Sequence, residues 1–231
     1  MDRLILWDVD GTLLTTDGIS GQMMRAAMRQ VLGPVPELPR SAYSGKTDWQ
    51  IIQESYPELD PAAVGELLPT FSATYVALLE AQRAELKTRS QLMIGVREAL
   101  AALDGRAAQA PLTGNIASVA QIKLEVLDLL GYLDLAAGAY GDDHYDRVRL
   151  VDFAIERSAK CYGRRFAGAE IVVVGDTPHD IHCGRANGAR TVAVATGAYS
   201  LDELREHQPD ALLADLGDTQ AAVAAIVGNR E

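Results

Sequence analysis

Cysteine is scarce in this chain of 231 residues, which holds only Cys161 and Cys183. Two cysteines cannot build a disulfide framework, and their spacing fits no metal-binding pattern. Basic charge is also in deficit: Lys and Arg number 21 against 32 Asp and Glu, a net charge of −11. So acidic a chain repels phosphodiester backbones, so no nucleic-acid partner is expected. Strictly apolar runs are short. The longest, such as Ala221 to Val227, fall well below the ~18 residues of a membrane span. The opening Met1-Asp2-Arg3, followed by Leu4-Ile5-Leu6-Trp7, lacks the apolar core of a signal peptide. These absences predict a soluble, cytoplasmic protein with no membrane partner. Hydrophobic residues make up 48% and charged residues 23%, a balance that supports a packed core rather than disorder.

Short apolar runs alternate with helical patterns along the chain. Leu4 to Val9, Ala107 to Leu112, Ile171 to Val174, Thr191 to Ala195 and Ala211 to Ala214 have the length and composition of buried strands. Ile116, Val119, Ile122, Val126, Leu127 and Leu130 recur at helical spacing. So do Val148, Val151, Ile155, Ala159 and Tyr162. Strands alternating with helices predict the α/β class, with a Rossmann-like parallel sheet covered on both faces. Residues 16–87 break the alternation. Helices are expected there from Met23 to Leu32, ending at Gly33-Pro34, and over Asp48 to Tyr56, Pro61 to Leu68 and Phe71 to Leu86. Pro34, Pro36 and Pro39 stiffen the link between the first two. The expected organisation is a core of residues 1–15 and 88–231 interrupted by a helical insertion of residues 16–87.

The first apolar run ends in Trp7-Asp8-Val9-Asp10-Gly11-Thr12-Leu13. In open parallel sheets ligands bind just beyond the carboxyl ends of the strands, so two carboxylates there are well placed for chemistry. If the strand geometry persisted, Asp8 and Asp10 would project to one side, and a shared cation would relieve their repulsion. A plain turn at Asp10-Gly11 is the competing reading. Ile171-Val172-Val173-Val174-Gly175-Asp176-Thr177-Pro178-His179-Asp180 is a second buried run ending in carboxylates. Asp176 and Asp180 would complete a site of hard oxygen ligands suited to Mg²⁺, while Asp176 or Thr177 could also cap the following helix. A third run ends in Thr113-Gly114-Asn115 directly before a helix. A hydroxyl and N–H groups at a helix start suit a phosphate, and equally suit a helix cap.

Taken together and in this order, these segments resemble the haloacid dehalogenase-like superfamily of hydrolases, and in particular its phosphoglycolate phosphatase-like members with a helical cap after the first strand. Asp8-Val9-Asp10-Gly11-Thr12-Leu13 is similar to the first family motif, Thr113 to the second, and Gly175-Asp176-Thr177-Pro178-His179-Asp180 to the fourth. The resemblance spans the whole chain. It implies a Mg²⁺-dependent phosphatase acting on a small phosphomonoester (phosphoglycolate, a sugar phosphate or a nucleotide) through an aspartyl-phosphate. It makes Asp8 the nucleophile and Asp10 the acid–base group, with the main-chain carbonyl of Asp10 on the metal beside Asp8, Asp176 and Asp180. Thr113, Gly114 and Asn115 would hold the phosphoryl group. The family's third motif supplies a cation, often a Lys before Pro. No Lys-Pro occurs here, and Arg147 is the best-placed substitute, with Arg149 and Lys160 as alternatives.

Within the insertion, Ser44-Gly45-Lys46-Thr47-Asp48-Trp49 is the most distinctive segment. Lys46 could reach substrate when the cap closes, or the segment could be a solvated turn with Asp48 capping its own helix. His179 and His182 have helical spacing without a third soft ligand, which argues against zinc. Asp142-Asp143-His144 is expected as a solvated loop that could help position Arg147. Met23, Met24 and Met28 fit cap packing. Trp7 and Trp49 fit core and cap anchors, and Trp49 could line the substrate site. A phosphomutase of the β-phosphoglucomutase type and a catalytically silent regulatory module are the alternative functions. A monomer and a homodimer are both compatible with the sequence.

Overall fold

The computed structural model describes residues 1–37 and 43–228. Pro39 lies outside them. The elements run β1 (Leu4–Trp7), β2 (Leu14–Thr15), α1 (Ile19–Leu32), α2 (Asp48–Ser55), α3 (Pro61–Ala81), α4 (Arg83–Arg89), β3 (Gln91–Leu92), α5 (Val96–Leu103), β4 (Ala108–Pro111) and α6 (Ala117–Val126). They continue with α7 (Arg147–Tyr162), β5 (Ile171–Gly175), α8 (Pro178–Ala186), β6 (Arg190–Val194), α9 (Leu201–Glu206), β7 (Ala211–Leu213) and α10 (Thr219–Val227). The five longer strands form one parallel sheet in the order β4-β1-β5-β6-β7. This is the α/β Rossmann-like sheet that the alternating pattern predicts. The chain leaves β1 to one side for β4 and returns on the other for β5. That reversal opens a crevice at the carboxyl end of β1, where ligands of such sheets bind.

Side-chain alternation along the strands builds two cores. Ile5, Trp7, Val172 and Val174 pack with Val96, Leu100, Val223 and Ile226 of α5 and α10 on one face. Leu4, Leu6, Ile171 and Val173 pack with Leu150, Val151 and Ala154 of α7 on the other. The indole of Trp7 is fully buried, and its N–H donates to Gln109 Oε1 at 3.2 Å. Asp8 follows Leu4 and Leu6 in the alternation, which directs it toward the α7 face.

The helices between β2 and β3 form a separate apolar cluster, including Met24, Met28, Ile52, Phe71 and Tyr75. β2 and β3 pair antiparallel where the chain leaves and re-enters the sheet domain. Both are two residues long, too short to show an alternating pattern. The core helix α6 contributes Ile116, Val119, Ile122 and Val126 to the cap cluster. Four of the six residues of that stripe therefore face the cap. The helix also stops at Val126 rather than Leu130. Asp128 adopts a left-handed φ of 55°, and a 3-10 turn at Leu130–Tyr132 follows.

The break expected near Pro69 falls instead at Gln82, so the helix expected over Phe71–Leu86 is divided between α3 and α4. α3 runs through Pro69, since Val64, Leu68, Phe71, Tyr75 and Leu79 are buried along one continuous face. Proline costs a helix a hydrogen bond and crowds the preceding turn, but burial of that face on both sides of Pro69 outweighs it. This helix, 21 residues with a mean hydropathy of 1.4 in its most apolar window, is long and apolar enough to cross a bilayer by length and composition. No single run of its sequence showed this, because Glu66, Ser72 and Thr74 interrupt the apolar residues. Here its buried face packs into the cap cluster, and Gly65 lies against the Trp49 ring.

Candidate active site

Asp8 lies one residue beyond β1, and its amide still pairs with Val174 O at 2.9 Å. Then the chain turns back: Gly11 takes a φ of 90° and donates to Leu14 O at 2.8 Å. The strand geometry therefore does not persist to Asp10, and the two carboxylates part company. Asp8 is buried and accepts from Arg147 Nη2 at 2.7 Å. The same nitrogen donates to Asp180 Oδ1 at 2.5 Å and to Leu112 O at 3.3 Å. Arg147 is the first residue of α7, which Asp146 caps by accepting from Val148 N at 2.9 Å. Of the three candidate cations only Arg147 reaches this group. Arg149 is exposed and pairs with Asp152, and Lys160 is exposed in the last turn of α7.

Pro178 opens α8, and Thr177 caps it in a reciprocal pairing with Asp180. Asp180 Oδ2 accepts from Thr177 N at 3.0 Å and from its hydroxyl at 2.7 Å. Asp176 is not the cap; it accepts from Thr12 Oγ1 at 3.0 Å. Asp8, Asp176 and Asp180 each present an oxygen within 4.8 Å of the others, and all three are buried. Burial raises the Asp8 pKa to about 7, with repulsion from Asp180 adding to it and Arg147 opposing it. Burial, then Asp8 and Asp180, also push Asp176 well above the usual carboxylate range. Burial disfavours the charge on Arg147, but Asp180 and Asp8 more than offset this and raise its pKa. When all three carboxylates are ionised, one guanidinium leaves two negative charges uncompensated. That deficit and an all-oxygen donor set fit a hard divalent cation such as Mg²⁺. His179 and His182 lie on α8 outside this group, and His182 is exposed.

Asp10 belongs to a second cluster. Lys123 Nζ donates to Asp10 Oδ1 at 2.9 Å and Oδ2 at 2.7 Å, and to Asn115 Oδ1 at 2.6 Å. Asn115 Nδ2 donates to Asp10 Oδ2 at 2.6 Å and Thr113 Oγ1 at 2.7 Å. The expectation of one cation shared by the Asp8 and Asp10 side chains is therefore corrected: each has its own basic partner. Sequence reading missed Lys123. It sits among Val119, Ala120, Ile122, Leu124 and Val126, all buried. A helix apolar on nearly all sides is a buried one, and a lysine inside it needs a partner; that was the available signal.

The helical insertion packs against these groups. Gly114 approaches so near that a Cβ there would stand 2.0 Å from Lys46 O. Asp48 N donates to Gly114 O at 2.7 Å, and the Thr47 hydroxyl donates to Tyr145 O at 2.7 Å. Thr47 caps α2. Asp48 does not cap its own helix, nor is it solvated. Its buried carboxylate accepts from Ile116 N at 3.0 Å, across the cap–core junction at the start of α6. Neither Thr113 nor Asn115 caps that helix. Lys46 borders the cavity, but its ammonium is paired with Glu54 at 2.5 Å. Asp142 accepts from Ala117 N at 3.0 Å, and Asp143 pairs with Arg157 at 2.5 Å, so neither carboxylate acts on Arg147. Trp49 packs with the cap cluster and edge-on to Tyr145, away from the cavity lining. Met24 and Met28 are buried cap residues with Met23 beside them. The cleft between core and cap measures about 250 Å³ and opens to solvent, with Asp8, Asp10, Lys123 and Arg147 on the core side and Ser20 and Tyr75 on the cap side.

Residues 5–194 match the family model described as haloacid dehalogenase-like hydrolase. This chain belongs to that family. It is 27% identical over 209 residues to a phosphoglycolate phosphatase of Xylella fastidiosa, covering 87% of this chain and 83% of that one. It is 24% identical over 229 residues to the probable phosphatase IndB of Dickeya dadantii, covering 98% and 96%. A hydrolase from Pseudomonas syringae shares the fold, with a TM-score of 0.69 at 20% identity over 98% of this chain and 99% of that one.

Proposed function

We propose that this hydrolase is a Mg²⁺-dependent phosphatase of a small phosphomonoester, working through an aspartyl-phosphate on Asp8. The observation that carries the reading is the division of labour at the end of β1. Asp8 lies in a buried acidic group with Arg147, while Asp10 is held separately at the wall of the same cavity. A nucleophile and an acid–base group beside one phosphoryl position are what a two-step displacement requires. The names of the phosphatase relatives point the same way.

In the first step an Asp8 oxygen attacks phosphorus, and the bond to the leaving oxygen breaks. That oxygen keeps the electron pair and takes the Asp10 proton. In the second step Asp10 removes a proton from water, whose oxygen attacks phosphorus, and the bond to Asp8 breaks. Ester and water become alcohol and inorganic phosphate, and both carboxyl groups return to their starting state. Arg147 offsets the charge of Asp8 and of the phosphoryl oxygens. The Thr113 hydroxyl accepts from Asn115 N at 3.2 Å and from its side-chain amide, which leaves its own proton to donate to a phosphoryl oxygen. The amides near Val9 and Gly114 complete the cradle. Mg²⁺, held by Asp8, Asp176, Asp180 and the Asp10 main-chain carbonyl, would supply the positive charge that the acidic group lacks.

The test is phosphate release from phosphoglycolate, sugar phosphates, nucleoside monophosphates and an aryl phosphate, with Mg²⁺, with chelator, and with Asp8→Asn. Release that needs Mg²⁺ and disappears in Asp8→Asn is the expected result. Release that survives in Asp8→Asn would remove Asp8 as nucleophile.

A further inference from the structure

We propose that Lys123 is a positioning residue that fixes the Asp10 carboxylate for its acid–base work. The inference takes the chemistry of Asp10 from the phosphatase reading, while the placement rests on the hydrogen bonds alone. The Lys123 side chain is 4% exposed, against 43% for that of Asp10. Left to itself, so open a carboxylate would rotate freely at the cavity wall. Instead both of its oxygens are engaged: Oδ1 by Lys123, and Oδ2 by Lys123 and Asn115. Asn115 is itself fixed, since its oxygen accepts from Lys123 and its amide donates to Asp10 and Thr113. The cluster thereby ties the orientation of Asp10 to the Thr113 hydroxyl.

Packing does not account for a lysine at this position. Its neighbours in α6 are buried and apolar, and a methionine or leucine would fill the same space. The side chain leans back toward the start of the helix, as helical side chains do. Its ammonium therefore lies beside Asn115, at the positive end of the helix dipole, where a cation is disfavoured. Burial disfavours it as well. What offsets both costs is its contact with Asp10. The two carboxylates at the end of β1 are thus steered by different cations: Arg147 from α7 for Asp8, Lys123 from α6 for Asp10.

Lys123→Met keeps the stem and removes the donors, and Lys123→Leu is a second replacement compatible with the packing. The readout is kcat/KM for an alkyl phosphomonoester and for p-nitrophenyl phosphate. An alkoxide leaves poorly without a proton from Asp10, whereas nitrophenolate needs none. The expected result is a loss of about 100-fold in kcat/KM on the alkyl ester and less than about 3-fold on the aryl ester. On the aryl ester kcat should still fall, because the water step needs Asp10. Equal losses on both esters, or none on either, would overturn the proposal. A crystal structure of the variant is the check independent of turnover: the Asp10 carboxylate leaving its place beside Asn115 supports the role, and its remaining there refutes it. A wild type inactive on every ester, or equally active as Asp8→Asn, would instead sink the phosphatase reading, and the crystal structure alone would then decide the role of Lys123.

Discussion

Arg147 is shared by two buried carboxylates, so its loss removes both of their ion pairs at once. Replacing it with methionine should lower kcat/KM by about 10²- to 10³-fold, the scale expected for removing one donor to developing charge. Breaking a buried pair costs about 3–5 kcal/mol when the orphaned charge persists. Here Asp8, with its pKa already near 7, can take up a proton instead. The loss of thermal stability in Arg147→Met should therefore be larger above about pH 7 than near pH 5; equal losses at both would contradict this account. Arg147 was legible because it opens a helix between two strand-end motifs, and no other nearby cation occupies such a position. Lys123 was not, because a single basic residue inside an apolar stripe looks like the solvated edge of a helix. The apolar residues on nearly all sides of α6 hinted at burial, and the packing of the helix between sheet and cap shows Lys123 to be an interior group.

Asp48 links two elements far apart in sequence, α2 of the cap and α6 of the core. Its pKa is raised from 3.8 to about 7, chiefly by burial, with the Ile116 hydrogen bond opposing the shift. Between those values the folded protein retains a proton that the unfolded chain has released. The contribution of Asp48 to stability is therefore greatest at low pH and falls as pH rises from about 4 to about 7. Asp48→Asn keeps an acceptor for the Ile116 amide and removes the titration. Urea unfolding of this variant should show a shallower decline of stability across that window, and an unchanged slope would be the contrary result. Asp48→Ala leaves a buried amide without its acceptor and should cost about 1–2 kcal/mol at pH 5. The same junction limited what sequence could show of the elements. The five sheet strands and the sites at their ends follow from local apolar runs and turns. The division of the α6 stripe between sheet and cap, and the continuity of α3 through Pro69, depend on partners far away in the chain.

At the scale of the whole molecule, a net charge of −11 attracts divalent cations and repels phosphate esters. The acidic group at the end of β1 concentrates the first effect. Because the unfolded chain cannot bring Asp8, Asp176 and Asp180 together, Mg²⁺ bound there should stabilise the fold by mass action. At a hundred times its Kd the gain is about 2.7 kcal/mol, or roughly 5–10 °C in Tm for a chain of this size. Thermal scans with Mg²⁺ and with chelator measure it directly. Asp176→Asn weakens the acidic group and should abolish most of the gain. Asp10→Asn should keep it, because the Asp10 side chain lies apart from that group, on Lys123 and Asn115. A gain lost equally in both variants would place the ion across the two clusters and undo the division of labour between Asp8 and Asp10.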